Sequence, residues 1–192
     1  MKYSQHLIIC ILDNEVNMTD KQHNKDMPGV GISGIYKFEH YDRCNNLIWY
    51  NVVNNAISAV GRGDMLTAFL QAIQVPTTFF LRLYNDTPAD TDSLGSLTNE
   101  ASGNGYAAQE LTRDASGWNT LANEGGLTHS VTSKVATFSA NGGSWGPVTN
   151  VVLATSSDNS GRFIGWAALG ASRTLKDGEA LKVNYGIFIT ST

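Results

Sequence analysis

The stretch LKVNYGIFI at residues 181–189 places a large apolar side chain at every second position. Those side chains belong to Leu181, Val183, Tyr185, Ile187 and Ile189. Successive side chains of a β-strand point to opposite faces, so the alternation predicts a strand with one buried face. Asp177 and Gly178 precede the stretch and are typical of a turn. We therefore expect this segment to be central to a β fold.

Further apolar segments recur at spacings of about 8 to 15 residues, separated by Gly, Asn, Asp and Ser. Residues 35–41 and 47–53 flank a polar turn and predict a β-hairpin. The other predicted strands are residues 78–84, 106–112, 134–139, 148–155 and 162–168. The chain is thus predicted to be mainly β, an antiparallel β-sandwich for which we favour a jelly roll. The pattern does not determine the strand order.

One segment near the start of the domain changes to helical spacing. Asp64 is a suitable N-cap, and Pro76 ends the segment. Apolar residues recur at intervals of three and four: Met65, Leu66, Phe69, Leu70 and Ile73. The spacing predicts one short helix whose apolar stripe packs against the sheet, with a partner-binding face as the alternative.

The length of 192 residues suits a single domain. We assign residues 34–192 to that β-sandwich domain and residues 1–33 to a flexible, polar N-terminal arm. Met18 and Met27 are alternative starts, so the arm could also be a start-site extension. Its apolar run at residues 7–12 is too short for a signal peptide or a membrane span.

Composition excludes several classes of partner. The net charge is −4 and charged residues make up only 16%, so no basic surface is available for nucleic acid. We expect neither nucleic acid nor membrane as a partner. The two cysteines, Cys10 and Cys44, lie far apart and fit two free thiols in a reducing cytoplasm, with a disulfide between them left open.

No motif in the sequence indicates catalysis, a cofactor or a metal. The acidic loop with Asp86, Asp90 and Asp92 lacks the spacing of a calcium loop. Gly61–Gly63 lacks the Lys and Ser/Thr of a phosphate loop, and Ser102 lacks the context of a nucleophile elbow. We therefore predict no catalytic, cofactor-binding or metal-binding residues, and no enzymatic activity.

Aromatic and loop residues are the only positive indication of a binding site. Trp118 and Trp145 follow glycine-containing turns, so both are candidates for exposed platforms or interface anchors. The remaining candidates for interface or ligand contacts are Tyr84, Asp90 and Asp92.

The order of these features resembles a common family of tailed-phage virion proteins. The resemblance covers about Gly34 to Thr190. It rests on Gly34–Glu39 with Tyr41 and Asp42, Leu47–Trp49, Asn54–Asn55, Leu66, Phe80–Tyr84, Asp86–Asp92, Gly105–Ala107, Trp118, Phe138, Ser144–Val148, Gly165–Ala167 and Gly178. Members of that family are capsid-associated decoration proteins or parts of the tail and its fibres, and they offer no catalytic residues to carry over.

The resemblance implies a virion protein assembled in the host bacterial cytoplasm. We expect first a capsid decoration or cement protein. The alternative is a tail, neck or fibre component with a receptor- or glycan-binding role, and a hydrolase is the least favoured. The expected partners are the major capsid protein or tail proteins, together with further copies of the chain in a homo-oligomer.

Overall fold

The computed structural model describes residues 30–73, 75–125 and 128–191, which form two antiparallel sheets and one α-helix. The helix is α1 (Ala59–Leu70). The strands are β1 (Val30–Tyr41), β2 (Leu47–Asn54), β3 (Ala56–Ile57), β4 (Thr78–Tyr84), β5 (Gln109–Thr112), β6 (Ala122–Asn123), β7 (Thr128–Thr132), β8 (Ala136–Ser139), β9 (Trp145–Ala154), β10 (Phe163–Leu175) and β11 (Ala180–Ser191).

The first sheet is organised around β11, the strand with the clearest alternation. Its order is β2-β1-β11-β7-β6, and β8 pairs with β11 beside β7. Strands β1 and β11 pair along their full length, from Val30 opposite Ser191 to Tyr41 opposite Ala180. The central position predicted for residues 181–189 is therefore confirmed, as is the hairpin of β1 and β2.

The second sheet has the order β3-β10-β9-β4-β5, and its pairs are antiparallel. The inner faces of the two sheets share one apolar core, which confirms the predicted mainly β sandwich with one short helix. Its largest fully buried members include Tyr36, Phe38, Leu81, Phe138 and Tyr185. This strand order does not by itself confirm a jelly roll.

The domain begins earlier than the sequence boundary. Strand β1 starts at Val30, so residues 30–33, which we assigned to the arm, pair with the end of β11. Alternation is weak there because Gly31, Ser33 and Gly34 interrupt the apolar residues. The predicted arm over residues 1–29, together with Cys10, lies outside the described residues, and Cys44 is an exposed thiol in the β1–β2 turn.

The prediction of one short helix is confirmed, but the predicted N-cap and the predicted buried face are wrong. Ser58, not Asp64, is the N-cap, and its hydroxyl accepts a hydrogen bond from the Gly61 amide at 2.9 Å. Gly61 and Asp64 are the buried residues of α1, whereas Leu66, Phe69 and Leu70 are exposed. Of the predicted stripe, Met65 packs against the core, and the other four residues do not. No helix in the described part of the chain is long and apolar enough to cross a membrane.

The segment between β4 and β5 is partly buried. It contains a 3₁₀ turn at Leu94–Ser96, and Leu94 and Leu97 are buried with Tyr84 in a small second core. This core covers the outer face of the second sheet. Arg82 and Tyr84 are buried, because both faces of the interior strand β4 are covered.

Candidate functional site

Trp145 is a core residue and not an exposed anchor. Its exposed fraction is 3%, and its Nε1 donates a hydrogen bond to the Ser139 carbonyl oxygen at 3.0 Å. Its ring meets the Tyr106 ring edge to face, with centroids 5.3 Å apart. The prediction of exposure was wrong because Trp145 is the first residue of β9 and turns inward between the sheets, although glycines precede it.

Tyr84 and the two loop aspartates also serve the fold. Tyr84 is fully buried, and burial raises the pKa of its phenol far above the ordinary value. An Asp92 carboxylate oxygen accepts a hydrogen bond from the Ala89 amide at 2.7 Å, which closes a turn. Asp90 is exposed, with an oxygen 3.6 Å from an Arg62 nitrogen, and its carbonyl oxygen accepts a bond from the Ala59 amide. These residues connect the acidic loop to the start of α1.

Of the three aromatic candidates, only Trp118 lines an open cleft. It lines a cleft of about 510 Å³ between the two sheets beside α1. Most of the lining is apolar, and it includes Met65, Ala68, Pro76, Phe79, Trp118, Val131, Leu153, Ile164 and Ile187. Clefts of this volume and character are typical of sites that hold a small apolar ligand or a protruding side chain.

Aromatic contacts hold Trp118 in the wall of the cleft. Its ring packs edge to face against Phe79 and against Tyr185, with centroid distances of 5.8 and 6.2 Å. The indole Nε1 is buried and has no hydrogen-bond partner among the described residues. A buried donor without a partner is costly.

The loop that carries Trp118 is organised by Asp114. One carboxylate oxygen of Asp114 accepts hydrogen bonds from the Ser116 amide and hydroxyl and from the Thr112 hydroxyl, at 2.8, 2.6 and 3.0 Å. These bonds, those from Ser116 foremost, lower the pKa of Asp114 from its ordinary value. Asp114 is therefore a structural carboxylate that shapes one side of the cleft mouth.

The other carboxylate at the cleft is also engaged. Both oxygens of Asp64 accept hydrogen bonds from the Arg162 guanidinium, which joins α1 to the beginning of β10. A carboxylate held in this way by two hydrogen bonds acts as a tether between the helix and the sheet. The cleft is accordingly suited to apolar recognition.

A separate polar cluster joins β4 to the turn between β9 and β10. The Arg82 side chain is buried and donates to Glu100 Oε1 at 3.0 Å and to the Asp158 carbonyl oxygen at 2.7 Å. Tyr106 donates from its hydroxyl to Glu100 at 2.9 Å. Within the described ranges, no group of three or more His, Cys, Asp or Glu side chains is arranged to hold a metal ion.

The cleft was not identifiable from the sequence. Phe79, Leu153, Ile164 and Ile187 come from four strands and two sheets, and local alternation does not show which strands face one another. Trp118 was recognised because it follows a polar, glycine-containing turn.

Comparison with known proteins identifies the family. Residues 56–190 match the family model described as Podophage GP4 fiber I protein gp80. The match begins at β3 and includes α1, the cleft and all later strands through most of β11. No curated protein matches the chain. The chain therefore belongs to the podophage GP4 fiber I protein gp80 family, a family of structural proteins of tailed-phage virions.

Proposed function

We propose that this chain is a non-enzymatic structural subunit of a phage fibre and is located in the virion. The observation that carries the proposal is the family match over residues 56–190, because the family description names a fibre protein. That description supports the fibre alternative more directly than the capsid decoration role, which we expected first. Capsid decoration stays a prediction without a specific observation in its favour.

The site geometry supports a role in protein assembly. The cleft is apolar, and its two carboxylates, Asp64 and Asp114, are held by hydrogen bonds within the fold. Trp145 and Tyr84 are buried, which removes two of the aromatic platforms that a glycan-binding role would use. The partners we propose are other fibre or tail proteins and further copies of the chain.

Sedimentation with virion parts tests the proposal. The full chain is mixed separately with undecorated capsids and with tails that lack this protein, and each mixture is pelleted at low and at high salt. We expect pelleting with tails alone, and little salt dependence because only 16% of the residues are charged.

Binding to capsids alone would restore the decoration role, and binding to neither would overturn the virion-structural proposal. Gold-labelled antibodies against the chain, applied to intact virions and viewed by electron microscopy, independently locate the protein on the virion. Release of reducing sugar ends from host surface polysaccharide by the purified chain would contradict the non-enzymatic part of the proposal.

A further inference from the structure

Three contacts hold helix α1 against the second sheet in one orientation about the helix axis. The Ser58 hydroxyl donates to the Phe163 carbonyl oxygen at 2.5 Å, and Asp64 is paired with Arg162. Between them, Gly61 lies so close to β10 that an added β-carbon would be 2.0 Å from the Ile164 carbonyl oxygen. All three contacts lie on the same face of α1, so they determine which side chains point outward.

The outward side chains of α1 and the residues just after it are large and apolar. The exposed fractions are 62% for Leu66, 87% for Phe69, 71% for Leu70 and 51% for Ile73, and we call these four residues the α1 patch. Together they present apolar surface on the order of 400 to 500 Å², a size at which patches on single proteins are often functional.

The α1 patch differs from the other exposed apolar surface of the chain. On β2, the exposed Tyr50 and Val52 share a sheet with Lys37 and Glu39, and the Lys37 ammonium lies 5.6 Å from the centre of the Tyr50 ring. That surface is apolar but carries charges that water solvates. By contrast, no charged residue occurs anywhere from Met65 to Leu81, and the exposed Arg62, one turn before Leu66, lies 3.6 Å from an Asp90 carboxylate oxygen.

We propose that the α1 patch is the surface through which a second copy of this chain docks. The four apolar side chains offer no complementarity to a charged partner. They meet an identical patch without like-charge repulsion, because the neighbouring Arg62 is paired with Asp90. Two such patches brought together would bury roughly 900 Å² from these side chains alone, against about 1,200 Å² or more for a stable interface. Exposed Gln71 and Ala72, which lie between Leu70 and Ile73 in the chain, supply further area at the same surface.

The inference goes beyond the fibre assignment, and it can hold or fail independently of the position of the chain in the virion. The experiment measures the mass of the full chain in solution by analytical ultracentrifugation over a range of concentrations. The wild-type chain is expected to self-associate reversibly. Phe69→Asp and Leu70→Gln are each expected to raise the dissociation constant by about 30-fold or more, the effect typical of a central interface residue.

Leu47→Gln is the matched control for Leu70→Gln, because Leu47 is an exposed leucine on the edge strand β2, outside the α1 patch. It is expected to leave the dissociation constant unchanged. Circular dichroism and thermal melts check that each variant is folded. We expect all three to fold, because the substituted side chains are exposed. A wild-type chain that stays monomeric overturns the proposal and makes the first 29 residues or another virion protein the better occupant. Self-association weakened by Leu47→Gln but not by either α1 variant also overturns it.

Discussion

Tyr36 of β1 and Tyr185 of β11 lie directly opposite each other in the register of the first sheet, with ring centroids 4.6 Å apart. Both rings are buried at the centre of the core, and burial raises the pKa of both phenols. Asn55, the residue between β2 and β3, donates a hydrogen bond to the Tyr185 hydroxyl at 3.2 Å. This pair joins β1 and β11, which pair over 12 positions, to the crossover between the sheets.

Replacement of Tyr185 by Ala should destabilise the fold strongly. The substitution removes a buried aromatic ring and leaves a cavity, which costs about 3 to 5 kcal/mol in the free energy of unfolding. Urea denaturation of the wild-type and variant chains measures this difference. Tyr50→Ala, at a half-exposed tyrosine on β2, is the control and should cost much less. Equal losses in the two variants would contradict the central position of Tyr185.

Two glycines of α1 should respond to alanine in opposite directions. Gly61→Ala should cost about 1 to 3 kcal/mol, because the new methyl group would overlap the Ile164 carbonyl oxygen and push the helix off β10. Gly63 has open space around it, so Gly63→Ala should stabilise the protein by up to about 1 kcal/mol through helix propensity. Thermal melts of the two variants provide the comparison. Stabilisation by both would show that α1 is not closely packed at Gly61.

Loss of the Glu100 carboxylate, whose cationic partner is buried, should cost more than loss of a carboxylate whose cationic partner is exposed. Glu100→Ala leaves the Arg82 charge buried with one fewer partner, which costs about 3 kcal/mol. Glu39→Ala breaks the more exposed pair with Lys37 and should cost less than about 1 kcal/mol. Chemical denaturation of both variants tests the difference. The double variant Arg82→Met with Glu100→Ala should recover part of the loss, since no unpaired charge remains.

Acid should weaken the turn between β9 and β10. Hydrogen bonds from the Ser160 and Ser156 hydroxyls lower the pKa of Asp158 from 3.8 to about 2. Because the folded pKa is the lower one, the contribution of Asp158 to stability is fully present above pH 3.8 and is lost as the pH falls through about 2. Denaturation at several pH values in this window should show a shallower acid dependence for Asp158→Asn than for wild type. An unchanged dependence would contradict the assignment.

The sequence by itself determined the fold class. Alternation in residues 181–189, the hairpin of residues 35–53 and the segment that became β4 were each recognisable, because the two-residue period of a strand is a local property of the chain. The same reading missed the short strands β3 and β6, and also β7, which lie next to polar turns and have little alternation. The family resemblance was likewise visible in the order of turns and aromatic residues, and the family match confirmed it.

Only the tertiary structure decided which apolar residues are inside. Trp145 follows glycines and is buried, whereas Leu70 lies in a helical stripe and is exposed, because the tight approach of Gly61 to β10 turns the opposite face of α1 outward. The cleft at Trp118 likewise exists only when strands from both sheets are brought together. Burial depends on long-range pairing and on close backbone approach, and neither leaves a periodic signal in the local sequence.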